Sequence, residues 1–214
     1  EQGRVAVDRP RCDACGDCAA ACPTASLRIC GTPMSVEEVI RVAARDVPYY
    51  RNSGGGVTLS GGEPAAQPEF SVLLLKALRD AGIHSAIETS GYAPAEHFDA
   101  VTREADLVLF DLKHTGPAVH EEQTGVPNGG IVDNLKRLVG TGKQIVLRIP
   151  VVRGVNDAIG ELVQLANFAK GLGGDVERID LLPYHRYGVP KYARLGMAPR
   201  FNASKPNNWL PWPG

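Results

Sequence analysis

The sequence has 214 residues, 43% hydrophobic and 22% charged, which is enough for one sizeable core and excludes a disordered chain, a collagen or a coiled coil. Its 23 Lys and Arg against 24 Asp and Glu leave a formal charge of −1, without the basic excess that draws a nucleic-acid backbone or an anionic membrane. No apolar run reaches the roughly 18 residues of a spanning helix, and the start, EQGRVAVDRPR, lacks the basic and apolar regions of a signal peptide, so a cytoplasmic protein with no nucleic-acid or membrane partner is expected.

The first segment, residues 1–32, is short and cysteine-rich, with strands expected at 4–7 and 26–29. Four of the five cysteines fall as Cys12-x2-Cys15-x2-Cys18-x3-Cys22-Pro23, the spacing of bacterial ferredoxin ligation, and thiolates are soft ligands suited to iron. An odd cysteine count without an export signal argues against a disulfide framework. Structural zinc needs a second CxxC or an HxxxH partner, which is not evident. In two-cluster ferredoxins the fourth cysteine of such a run serves the other cluster. Cys12, Cys15 and Cys18 therefore share one 4Fe–4S cluster, while Cys22 either closes it or is left without its own. Cys30, after Ile29, reads as a buried apolar thiol.

From about residue 33 helix and strand periods alternate, as in βαβ units with a parallel sheet. Ser35 with Glu38 forms a capping box for a helix running to about Asp46. Strands follow at 57–59, 83–88, 107–111, 144–149 and 176–182. Helices at 68–81, 94–104, 131–139 and 157–172 lie between them, so the expected fold is α/β, an open or partial (β/α) barrel. In such folds the working residues sit at the carboxyl ends of strands. Polar residues stand there each time: Gly61, Gly62 and Glu63; Glu88 and Thr89; Asp111 and Lys113; Arg148; and His185. Two glycines let a ligand approach the backbone, and a carboxylate beside them can hold a cationic group. Taken singly, Glu63 also fits a solvated turn, Asp111 and Lys113 a surface ion pair, and His185 a plain surface histidine. Residues 197–214, rich in Pro and Asn, carry no clear period and read as an atypical tail.

In unbroken order over about residues 5–196, the cysteine run, SGGGVTLSGGEPAAQPEF, IETSG, DLKH, HEEQTGVPN, LRIPVVRGVND and LLPYHRYGVPKY resemble the glycyl-radical-enzyme activating enzymes of the radical S-adenosylmethionine superfamily. The similarity is to pyruvate formate-lyase activase and especially to its relatives with a ferredoxin-like insert. It implies a reduced 4Fe–4S cluster that donates an electron to S-adenosylmethionine, a 5′-deoxyadenosyl radical, and a glycyl-radical enzyme as the protein substrate, with flavodoxin or ferredoxin as electron donor. By the same resemblance Gly61, Gly62 and Glu63 hold the methionine amino group, while Glu88, Lys113 and His185 lie near the methionine and ribose portions. Asp111 helps bind a monovalent cation, and Arg148 and the stretch through Asn156 lie near the adenosine.

Two departures qualify the likeness. The family holds its reactive cluster by C-x3-C-x2-C, and these 214 residues contain no such triplet. The expectation is an N-terminally incomplete chain, with residues 1–32 as half of a ferredoxin-like insert and 33–196 as a partial barrel lacking its first strand, inactive alone. The chain also turns atypical after Gly196. Competing readings are an iron–sulfur electron-transfer module, a zinc-stabilised binding protein and a radical S-adenosylmethionine enzyme acting on a small molecule. HEEQTG and RIPVVRGVND favour the activase over the last.

Overall fold

The computed structural model describes residues 7–184 and 189–195. They divide into two compact units, 7–35 with 189–195, and 36–184.

The first unit contains a 3-10 turn at Arg9–Arg11, the short helix α1 (Asp17–Ala20) and the helix α9 (Val189–Arg194). The expected strand at 26–29 does not form, and Val7, the one described residue of the expected strand at 4–7, is not in a strand either. A two-stranded ribbon needs an apolar face to bury. None of residues 7–35 is buried, and Ala25, immediately before 26–29, takes a left-handed φ of 51° that breaks an extended run.

The second unit is built in the order α2 (Val36–Ala43), α3 (Val47–Ser53), β1 (Gly56–Leu59), α4 (Pro68–Asp80), β2 (His84–Thr89), α5 (Ala95–Glu104) and β3 (Leu107–Asp111). It continues with α6 (Pro117–Thr124), α7 (Gly129–Leu138), β4 (Gln144–Val151), α8 (Ile159–Leu172) and β5 (Val176–Pro183). The five strands make one open sheet in the order β1-β2-β3-β4-β5, every neighbouring pair parallel. This is the α/β arrangement expected from the alternating periods. Two helices lie outside those periods. Pro48 looks like a stop but occupies the first turn of α3, where its missing N–H is not needed. In α6 only His120 is buried, so there is no apolar stripe to read.

Because side chains alternate along a strand, the register sorts the sheet into two faces. Val57, Leu59, Ile87, Val108, Phe110, Leu147 and Ile149 share one face. It is covered by Leu75 of α4, Phe98 and Val101 of α5, Ile131, Leu135 and Leu138 of α7, and Leu165 of α8. Phe98 meets Phe110 edge to face with ring centroids 6.1 Å apart. Each such side chain taken fully out of water stabilises the fold by about 1.5–3 kcal/mol. A smaller cluster joins α2 to the sheet through Ala43, Leu74, Leu78 and Ile83, with Val36, Val39 and Ile40 packed against it at helical spacing. The opposite face of the sheet presents Thr58, Glu88, Leu109, Asp111, Arg148 and Asp180. Among the described residues no helix is long and apolar enough to cross a membrane.

Candidate functional site

On the second face the strands deliver one cluster of charge. Asp111, the last residue of β3, pairs in register with Arg148 of β4, and Glu88 of β2 pairs with Leu109 of β3. The Arg148 guanidinium donates a short hydrogen bond to Glu88, whose other carboxylate oxygen accepts from the Ser60 hydroxyl at 2.8 Å. Lys113 Nζ lies 3.4 Å from Asp111 Oδ2. Asp111 Oδ1 is buried with no hydrogen-bond partner among the described residues. Burial pushes the Asp111 carboxyl above its ordinary value, Lys113 and Arg148 pull it down, and Glu88 adds to the rise. An orphaned carboxylate oxygen in such a place fits a cation as its missing partner.

Beside this cluster, β1 runs into Ser60-Gly61-Gly62-Glu63. Gly61 has φ +114°, a conformation that L side chains rarely adopt, and nothing lies within 4 Å of where a Cβ would stand at Gly61 or Gly62. The strand end therefore offers bare backbone to a ligand. The Glu63 side chain is itself committed. It accepts from the Thr89 hydroxyl at 2.6 Å, from the Ser90 N–H at 2.9 Å and hydroxyl at 2.8 Å, and from the Ala65 N–H at 3.4 Å. Its carboxylate ties the loop after β1 to the end of β2, which leaves backbone groups as the freer donors and acceptors at that strand end.

Asn156 is 2% exposed, and its side-chain amide is committed to backbone groups. Its Oδ1 accepts from the Val152 N–H at 2.7 Å, while its Nδ2 donates to the Pro150 carbonyl at 2.8 Å and to that of Lys113 at 3.4 Å. In this way Asn156 fixes the backbone that carries Lys113. Glu63, Glu88, Asp111, Lys113, Arg148 and Asn156 thus stand at or near the carboxyl ends of the strands, whereas His185 lies outside the described residues.

The pairings of several polar residues in the same unit emerge only from the structure. Ser60, Thr89 and Ser90 are partners of the carboxylates, visible only once β1 and β2 are paired. His114, 5% exposed, accepts from the Gly116 N–H at Nδ1, so its proton sits on Nε2 and is donated to Glu161 at 3.1 Å. Asn128 donates to the carbonyls of His114 and Thr115 and holds that loop in place.

In the other unit the thiols of Cys12, Cys15, Cys18 and Cys30 are exposed, and Cys22 is half-buried. The expectation of a buried Cys30 is therefore corrected, because residues 7–35 have no apolar interior to hold it. The Cys22 thiol is lowered to about 7, first by the hydrogen bond its sulfur accepts from the Leu27 N–H and then by the Thr24 hydroxyl. Among the described residues no three side chains converge on a single metal ion. Cys12, Cys15, Cys18 and Cys30 are among the residues lining a cavity of about 430 Å³ in this unit.

A parallel α/β sheet with bare glycines and paired charges at its strand ends is a cofactor-binding frame. The sequence pattern of the Radical SAM superfamily matches residues 17–166, and the chain belongs to that superfamily. It is 40% identical over 195 residues to the isethionate sulfite-lyase activating enzyme of Nitratidesulfovibrio vulgaris, covering 90% of this chain and 62% of that protein. It is 42% identical over 176 residues to the choline trimethylamine-lyase activating enzyme of Oleidesulfovibrio alaskensis, covering 81% of this chain and 57% of that protein. The chain thus spans about 60% of the length of these curated relatives. Among solved structures, a domain of pyruvate-formate lyase-activating enzyme from Bacteroides vulgatus superposes with a TM-score of 0.57 at 36% identity, over 66% of this chain and 93% of that domain.

Proposed function

We propose that this chain serves as the S-adenosylmethionine-binding barrel and a 4Fe–4S segment of a glycyl-radical-enzyme activating enzyme. In this reading residues 1–32 form the ferredoxin-type segment and 33–196 the barrel. What supports it most is identity of about 40% to two activating enzymes over a region that includes every charged strand-end residue described above. When bound, the cofactors would supply one-electron reductive chemistry at the sulfonium, directed at a glycine of the partner.

The chain's own residues bind and orient. The open backbone at Gly61–Gly62, with Glu63 clamping the loop, receives the methionine amino group. Lys113, whose side chain is 41% exposed and so can swing to an anion, attracts the carboxylate. Glu88 and Arg148, held by each other and by Ser60, face the ribose and adenosine side, with Asn156 as the positioning residue behind Lys113. The unpartnered Asp111 oxygen takes a monovalent cation beside the cofactor. His185 belongs to the same set by resemblance. The electron comes from a flavodoxin or ferredoxin. The two relatives are named for different lyases, so the protein substrate is proposed as a class, the glycyl-radical enzymes.

The test has two arms. The 214-residue chain, reconstituted with iron and sulfide, is expected to bind S-adenosylmethionine by calorimetry and to release no 5′-deoxyadenosine on reduction. A protein carrying a C-x3-C-x2-C triplet in front of the same residues is expected to release it and to raise a glycyl-radical EPR signal on a glycyl-radical enzyme. Failure of the chain to bind S-adenosylmethionine, or catalysis at normal rates without the triplet, overturns the reading.

A further inference from the structure

We infer that His114, joined to Glu161 of α8, is a positioning residue that fixes the direction in which Lys113 presents its ammonium to the carboxylate of S-adenosylmethionine, an inference that rests on the reading of Lys113 given above. Lys113 is only weakly held by its own contacts. Its side chain is 41% exposed, and among the described residues its ion-pair partner is Asp111, at 3.4 Å. Its direction is therefore set by the backbone that carries it, and the loop after β3 is held at every residue from 112 to 116. The Leu112 N–H donates to the Arg148 carbonyl at 2.9 Å, and the Lys113 carbonyl accepts from Asn156 at 3.4 Å. The His114 and Thr115 carbonyls both accept from Asn128, at 3.1 and 3.0 Å, and the Gly116 N–H donates to the His114 ring.

The ring of His114 ties this loop to the helical layer. It is 5% exposed, its Nδ1 accepts from the Gly116 N–H at 2.9 Å, and its Nε2 donates to Glu161 Oε2 at 3.1 Å. A neutral imidazole carries one acceptor and one donor at a fixed angle on a rigid ring, so with both in use it acts as a strut between the loop and α8. The ring also lies close against bare backbone: a Cβ added at Gly116 would stand 3.1 Å from His114 Cε1 and Nδ1. Loss of the Glu161 bond frees the ring, and with it the peptide that joins Lys113 to His114. What then holds the Lys113 carbonyl is the Asn156 amide, whose bond is the longest in the loop. The Lys113 stem has several rotatable bonds and absorbs part of such a shift, so the effect is smaller than that of losing the ammonium itself.

Calorimetry on the 214-residue chain and its variants K113M, E161A, E161Q and H114N compares S-adenosylmethionine with its decarboxylated analogue, which keeps the sulfonium, amino group and adenosine and lacks only the carboxylate. The wild type is expected to prefer S-adenosylmethionine by about tenfold, and K113M to lose that preference. E161A removes the acceptor, and H114N keeps an acceptor for the Gly116 N–H while falling short of Glu161. Each is expected to weaken S-adenosylmethionine by about threefold and to leave the analogue unchanged. E161Q, which keeps an acceptor for the Nε2 proton, is expected to match the wild type. Glu161, with a side chain 34% exposed, tolerates substitution and keeps the test open if H114N folds poorly. An equal loss for both ligands in E161A, or a full wild-type preference there, overturns the inference and leaves the reading of Lys113 standing. A wild type that binds neither ligand or does not tell them apart, or a K113M that keeps the full preference, overturns that reading itself, and with it the inference.

Discussion

Between residues 36 and 184, Phe98, Phe110, Leu135 and Leu147 are each no more than 1% exposed, whereas from 7 to 35 no residue is buried at all. The sheet unit carries its stability in apolar area removed from water, which is non-directional and distributed over many side chains. A segment as short as 7–35 cannot enclose such a core, and small units of this kind draw on metal bonds instead. Its strained points fit that picture: Ala14, Gly16 and Ala25 all have positive φ, with Asp13 accepting from the Cys15 N–H to shape the loop. One unit is organised by what it hides, while the other keeps its cysteines exposed or half-buried.

The sharpest way to break this contrast is to remove the metal. Chelating iron from the reconstituted chain is expected to abolish amide-exchange protection throughout 7–35 while β2, β3 and β4 keep theirs; a sheet that opens together with the thiol segment breaks the comparison. Next in size is Phe110→Ala, which empties the centre of the core and is expected to cost about 3–5 kcal/mol in urea denaturation. Its iron content should not change.

Arg148→Met leaves Glu88 half-buried without its cation. The expected loss of stability is about 1–2 kcal/mol, below that of a fully buried pair because both side chains still reach solvent, with S-adenosylmethionine affinity lower by about tenfold.

The smallest effect is expected from Asp111→Asn. Burial raises this carboxyl in the folded state, so it binds a proton more readily there than in the unfolded chain. Its contribution to stability therefore grows as pH falls through the raised value and levels off below the ordinary 3.8. The variant should lose that slope and melt about 1–3 °C higher near neutral pH. Added potassium or sodium is expected to raise the melting temperature of the wild type and not of the variant, as differential scanning fluorimetry would record.

The five strands were legible because each carries a local apolar run between turn residues. Leu107–Asp111 coincides with its expected bounds, and the other four differ from theirs by one or two residues. Helix α6 was not legible, since a helix burying one histidine has no stripe, and α3 was hidden by a proline that its first turn tolerates. The strand-end positions of Glu63, Glu88, Asp111 and Arg148 followed from where the strands stop. Their partners did not. Glu88 and Arg148 are 60 residues apart and meet only because β2 and β4 flank β3, and Glu63 faces Thr89 and Ser90 across the β1–β2 pair.

By itself the sequence determined the alternation of strands and helices, the glycine and polar residues at the strand ends, and the spacing of the thiols. All of these are set by neighbours a few positions away, through side-chain periodicity and turn chemistry. Only the tertiary structure decided which carboxylate meets which cation, and that one Asp111 oxygen is left without a partner among the described residues. Burial and pairing depend on groups that are distant along the chain, and packing alone brings them within reach of one another.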